Sequence, residues 1–226
     1  MLRDLNKITN CVVQGTDGII GNVADMYVND QTWKIHYMAA DTGNWLQGRH
    51  VLISTESVVQ PHVEIGSFRA LVSRAQVEGA PAFEIEKPFS WEKEREICNY
   101  YRWSTYYPID ERELSVFPGK LTSVNGLKDF SLQATDGEIG KIINYIIDDA
   151  NWSVRYLVVD TSKWLAGKKV LISPMWHKSI NWQDRMIVVD LNQEQIEKSP
   201  EYDASAPMER VYEINLYKHY GKPHYW

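Results

Sequence analysis

The chain has 226 residues, 44% apolar and 24% charged, which suits one large or two small cored domains and excludes a disordered or collagen-like chain. Its 24 basic and 30 acidic residues leave a net charge of −6 with no long block of either sign, so no broad basic surface displaces counterions and nucleic acid is not an expected partner. Apolar runs stop at four residues where a spanning helix needs roughly 20, and no apolar h-region follows the first charges; membrane insertion and secretion are disfavoured and a cytoplasmic location is expected.

Strand signals come first along the chain. Asp17-Gly18 is a hairpin-turn dipeptide, β-branched and aromatic residues follow at 23–28, and Asn29-Asp30 suits the next turn. Trp33 opens a second strand through 35–40, which ends at Asp41-Thr42, side chains suited to hydrogen-bond the backbone of the turn ahead. Gly48 marks that turn, 51–53 a third strand and 68–72 a further one. The period then changes. Ser73 and Gln76 have the spacing of a capping box, opening a short helix that Pro81 ends, and 91–101 reads as a second helix before Tyr106-Tyr107. Residues 108–119, with Pro108, Pro118 and Gly119 around a charged centre, read as a linker.

Beyond the linker the same order is written again. Thr16-Asp-Gly-Ile-Ile-Gly21 recurs as Thr135-Asp-Gly-Glu-Ile-Gly140, a displacement of 119 that holds to Tyr225 without insertion; residues 15–54 and 134–173 share 17 identities in 40 positions. The expected domains are two copies, 1–107 and 120–226, joined by 108–119. Copy two repeats strands at 142–147, 154–159, 170–172 and 186–191, a capped helix from Asn192 and Gln195 to Pro200, and a last helix over 209–220. Short strands joined by tight turns predict a mainly β protein of two tandem small antiparallel β-barrels, closed or nearly so. A short helix and a helical, aromatic C-terminal segment follow each.

The blocks Trp-Ser-Val-Arg-Tyr-Leu-Val-Val-Asp-Thr at 152–161, Trp-Leu-Ala-Gly-Lys-Lys-Val-Leu-Ile-Ser at 164–173 and Gln-Ile-Glu-Lys-Ser-Pro at 195–200 resemble the PRC-barrel family, and the resemblance extends to both copies. Copy one departs from the pattern with His36 for Arg155, Ala39-Ala40 for Val158-Val159 and Tyr106-Tyr107 for Tyr225-Trp226. The family includes the cytoplasmic part of the photosynthetic reaction-centre H subunit and the C-terminal barrel of a ribosome-maturation factor. Its members act mainly as protein-interaction modules, and the resemblance implies that role here.

Chemistry-bearing motifs are sparse. Gly15, Gly18 and Gly21 lack the Gly-x-Gly-x-x-Gly spacing and lead into a strand, so they read as turn glycines rather than a phosphate cradle. None of the six histidines faces a histidine at the repeat offset, which argues against a repeated metal site, and Cys11 and Cys98 read as small buried apolar groups. The acidic pairs Asn29-Asp30 and Asp148-Asp149 read as solvated turn residues. No serine sits in a nucleophile elbow, so no catalytic, cofactor-binding or metal-binding residue is assigned and no cofactor is expected. What remains is the aromatic load. Trp33 and Trp152 belong to the barrel interior or mouth, while Trp45, Trp164, Tyr106, Tyr107, Tyr225 and Trp226 are candidate partner-binding residues. Segments 89–107 and 208–226 are expected to pack each on the neighbouring copy.

The expected function is a non-enzymatic adaptor whose protein partner the sequence does not name, a homodimer included among the options. The alternative is a small-molecule- or metal-binding, even catalytic, protein that uses a cleft between the copies, with Asp41, Asp160 and His50 as its polar groups.

Overall fold

The computed structural model describes residues 1–62, 66–85, 89–108, 119–162 and 167–226. Its strands are β1 (Leu2–Asp4), β2 (Val12–Gln14), β3 (Ile19–Asn29), β4 (Ile35–Asp41), β5 (His50–Ser54), β6 (Val58–His62) and β7 (Ser67–Ala70), followed by helices α1 (Arg74–Gly79) and α2 (Trp91–Tyr101). The second series is β8 (Leu121–Ser123), β9 (Ser131–Ala134), β10 (Gly137–Asp148), β11 (Ser153–Asp160), β12 (Lys169–Ile172), β13 (His177–Asn181) and β14 (Met186–Val189), then α3 (Gln193–Glu197) and α4 (Arg210–Tyr220).

The strands form two seven-stranded sheets, one ordered β5-β4-β3-β2-β7-β6 and the other β12-β11-β10-β9-β14-β13. Both are barrel-like, though no ladder among the described residues joins β5 to β6 or β12 to β13. The pairing is antiparallel except between β2 and β7 and between β9 and β14, which run parallel. This corrects the expectation of wholly antiparallel barrels. The cause is a corner: a single 3-10 turn at Thr55–Ser57 carries β5 into β6 without reversing its sense, so β7 returns along β2 in the direction β2 already has. Two glycines allow the long strands to lie close to their neighbours. A Cβ on Gly21 would sit 2.0 Å from the Asp41 carbonyl oxygen, and one on Gly140 would sit 2.0 Å from that of Asp160.

The seventh strand of each sheet comes from the other copy. β1 pairs antiparallel with β10, and β8 pairs antiparallel with β3 in the same register displaced by 119. The compact units are accordingly Lys7–Gly126, and Met1–Asn6 together with Leu127–Trp226. They cut across the sequence copies 1–107 and 120–226, while 109–118, the bulk of the linker segment, lies outside the described residues. The turn acids hold the exchanged strands. Asp30 Oδ1 accepts from Lys120 N at 2.9 Å in one unit, and Asp149 Oδ2 accepts from Arg3 Nε at 2.6 Å in the other. Both acids are buried, Asp30 at 4% and Asp149 at 8% exposure, so they are not the solvated turn residues expected from sequence.

The helices start where their caps predict. Ser73 and Asn192 each accept from the third-residue amide while Gln76 and Gln195 reach back to the cap amide, completing both capping boxes. α2 and α4 end on left-handed residues, Arg102 (φ 60°) and Gly221 (φ 62°). Each helix folds back on its own unit. Ile97 and Cys98 of α2 join Tyr27, Tyr37 and Leu52, and Tyr217 of α4 meets the rings of Trp176 at 5.2 Å and Tyr156 at 6.4 Å. Segments 89–107 and 208–226, expected on the neighbouring copy, lay these helix faces on the sheet of their own unit, and Tyr107 also reaches β8, the strand supplied by the other copy. Among the described residues no helix is long and apolar enough to cross a membrane.

Candidate functional site

In both units a buried glutamate of the last helix meets a strand tyrosine. Glu94 of α2 accepts from Tyr37 OH at 2.5 Å and Tyr106 N at 2.6 Å through Oε1, and from Tyr107 N at 2.9 Å through Oε2. Glu213 of α4 accepts from Tyr156 OH at 2.7 Å and Tyr225 OH at 2.8 Å, and pairs with Arg210 Nη1 at 2.9 Å. An ionised carboxylate out of water costs several kcal/mol unless hydrogen bonds replace the solvent, and each glutamate has at least three partners. Burial pushes the Glu94 carboxyl up from its ordinary range, with the Tyr37 hydroxyl and the two amides opposing. Burial raises the Tyr37 and Tyr156 phenols far above theirs and lifts the Cys98 thiol to about 11. These phenols and this thiol keep their protons at neutral pH. What the arrangement accomplishes is attachment of the C-terminal segment to the sheet. Nothing in the sequence singles out Glu94 and Glu213 beyond their recurrence at the repeat offset.

Outside this lock the units differ. In one, Arg155 of β11 lies 4.0 Å over the ring of Tyr225 and reaches Asp148 at 3.3 Å. At the equivalent place in the other stands His36, its ring 4.4 Å from that of Tyr106, and a pocket of about 210 Å³ opens beside it. Lys34, Glu56, Ser104 and Thr105 contribute to its walls. Burial, with Lys34 adding, lowers the His36 pKa to about 4, so the imidazole is neutral at physiological pH.

The residues chosen from sequence have these positions. Trp45 is half-buried, donates from Nε1 to the Ile20 carbonyl at 2.6 Å and lies under the Arg74 guanidinium at 4.2 Å, latching its own unit. Trp164 falls outside the described residues. Tyr107 is buried and its hydroxyl accepts from Leu121 N at 2.8 Å, so it secures β8 and is corrected from surface to core. Tyr106 is half-buried in the pocket wall, and Tyr225 lies between Arg155 and Arg210. Trp226 is 47% exposed, stacks on His224 at 4.4 Å and carries Arg210 over its face at 4.2 Å. Asp41 and His50 are cross-strand partners in the Lys7–Gly126 unit, and Asp160 belongs to the other unit. Each aspartate holds its own turn, accepting from Gly43 N at 2.9 Å or Ser162 N at 2.8 Å, while Thr42 and Thr161 donate to the Arg49 and Lys168 carbonyls at 2.7 Å. Among the described residues no three His, Cys, Asp or Glu side chains gather in a metal-binding group.

Residues 3–72, from β1 through β7, match the PRC-barrel domain family. No curated protein matches the chain.

Proposed function

We propose that this chain, whose residues 3–72 match the PRC-barrel domain family, is a non-catalytic module that binds a protein partner through the outer face of α4 and the residues that follow it. The observation that carries this reading is a set of exposed apolar residues on α4 and the segment after it, Val211 (64% exposed), Ile214 (40%) and Trp226 (47%), with Arg210 over the Trp226 ring. Isolated exposed apolar residues are ordinary. Apolar residues exposed together with Trp beside Arg have the composition of interface cores. The fold does not need Val211 and Ile214 there, since the repeat places exposed Glu92 and Arg95 at their positions. The absence of catalysis is supported by Glu94 and Glu213 being engaged in structural bonds. Two free, buried cysteines accord with a reducing compartment such as the cytoplasm.

The test uses Ile214→Glu and Trp226→Ala, substitutions at exposed positions. A protein captured from the native cell by the tagged chain should bind either purified variant about tenfold or more weakly than wild type, at an unchanged melting temperature. Equal affinity of both variants for that protein refutes the assignment of this surface.

A further inference from the structure

The pocket of the Lys7–Gly126 unit is lined by residues that differ between the two copies. Position by position, Lys34 corresponds to Ser153, His36 to Arg155, Glu56 to Met175, Ser104 to Pro223 and Thr105 to His224, while Tyr37 and Tyr106 meet tyrosines again in Tyr156 and Tyr225. The buried Tyr–Glu lock is common to both units, so the scaffold beneath is the same. Above it, copy two fills the space with an arginine stacked on Tyr225, whereas copy one has a shorter, neutral ring against Tyr106 and leaves about 210 Å³ open. At ~30 Å³ per water that is room for about seven waters, less than a drug-sized ligand needs and suited to a metabolite of amino-acid size.

The walls carry both signs of charge. Lys34 and Glu56 are exposed at the pocket, Ser104 and Thr105 add hydroxyls, and the Tyr106 ring supplies an aromatic face. A phosphate or simple carboxylate would be drawn by Lys34 but repelled by Glu56, and a simple amine would meet the reverse. Only a ligand bearing both charges answers both residues.

We propose that this pocket binds a small zwitterion of the free α-amino-acid class, its carboxylate directed to Lys34 and the Ser104 and Thr105 hydroxyls, its ammonium to Glu56 and the face of Tyr106. The neutral state of His36 keeps a second positive charge away from the ammonium. The pocket belongs to the Lys7–Gly126 unit and α4 to the other unit, and neither proposal depends on the other.

Isothermal titration calorimetry of the full chain with each standard L-amino acid in turn tests it, with propionate and ethylamine as probes carrying one charge each. At least one amino acid should bind, with both single-charge probes at least about tenfold weaker. Lys34→Ser and Glu56→Met, which install the copy-two residues at exposed positions, should each weaken it about tenfold. His36→Arg, which copies the plug of the other unit, should abolish binding. Ile214→Glu should bind the amino acid as wild type does. Absence of heat with every amino acid, equal binding of a single-charge probe, or undiminished binding by both Lys34→Ser and Glu56→Met overturns the proposal.

Discussion

We expect charge to bias which short strand completes which sheet, and Ser123→Asp tests this. Asp25, only 5% exposed, accepts from Ser123 Oγ at 2.5 Å and from Asn125 N at 3.2 Å. At the matched place in the other unit the roles are reversed, with Asp4 on the short strand accepting from Asn144 Nδ2 at 2.7 Å. Each exchanged pair therefore holds one carboxylate and one neutral donor. Pairing within a copy would set Asp4 against Asp25. The substitution Ser123→Asp recreates that acid pair inside the native unit. Two carboxylates about 4 Å apart at an effective dielectric constant of about 20 repel by ~4 kcal/mol. Protonating one at pH 7 costs a similar amount, about three pH units at ~1.4 kcal/mol each. We expect a loss of about 3–4 kcal/mol at pH 7, measured by urea denaturation followed by circular dichroism. The folded-state pKa of one carboxyl lies above its unfolded value of ~3.9, so the deficit grows as pH rises above ~4 and fades as pH falls toward it. Adding Asp25→Asn rebuilds the arrangement of Asp4 and Asn144 and should restore most of the loss, a coupling of about 2–3 kcal/mol. A single variant within about 1 kcal/mol of wild type, or a double variant no better than the single, refutes the reasoning.

Three further predictions follow from geometry already described. His36 has a folded pKa of about 4, below its unfolded value of 6.5. Its contribution to stability is full above pH ~6.5 and is lost as pH falls toward ~4, so His36→Gln should flatten the urea midpoint over that interval. Arg102 closes α2 in the left-handed region at φ 60°, where its counterpart is Gly221, and Arg102→Gly should raise stability by about 0.5–1 kcal/mol in the same assay. Gly21→Ala drives a methyl into the Asp41 carbonyl and should cost about 3 kcal/mol or more, seen as a lowered melting temperature; a cost under ~1 kcal/mol would mean that β3 and β4 separate freely.

The parts of this fold that were legible in the sequence are those that local chemistry specifies. The β-branched runs at 23–28 and 142–147 fall within β3 and β10, the Ser73 and Asn192 capping boxes open α1 and α3, and the expected helix over 91–101 coincides with α2. β1 and β8 escaped because three residues carry no period, and nothing within Leu2–Asp4 says which sheet it will join. The parallel pairing of β2 with β7 escaped because it depends on the corner at Thr55–Ser57, a matter of direction in space. Glu94 and Glu213 sat in the sequence as ordinary helix glutamates, and only tertiary packing shows that both are enclosed. The pocket was hidden for the opposite reason: the likeness of the copies drew notice, while its chemistry resides in their differences at Lys34, His36 and Glu56.

The trade of edge strands also sets a timetable for biosynthesis. Leu2 is made 146 positions before its partner Asp148, about 7–30 s at ~5–20 residues per second. In the Lys7–Gly126 unit, Tyr27–Asn29 of β3 wait for Ser123 to leave the ribosome before β8 pairs with them. The Lys7–Gly126 unit can close once Gly126 has emerged, whereas β1 stays unpaired until β10 of the later unit is made.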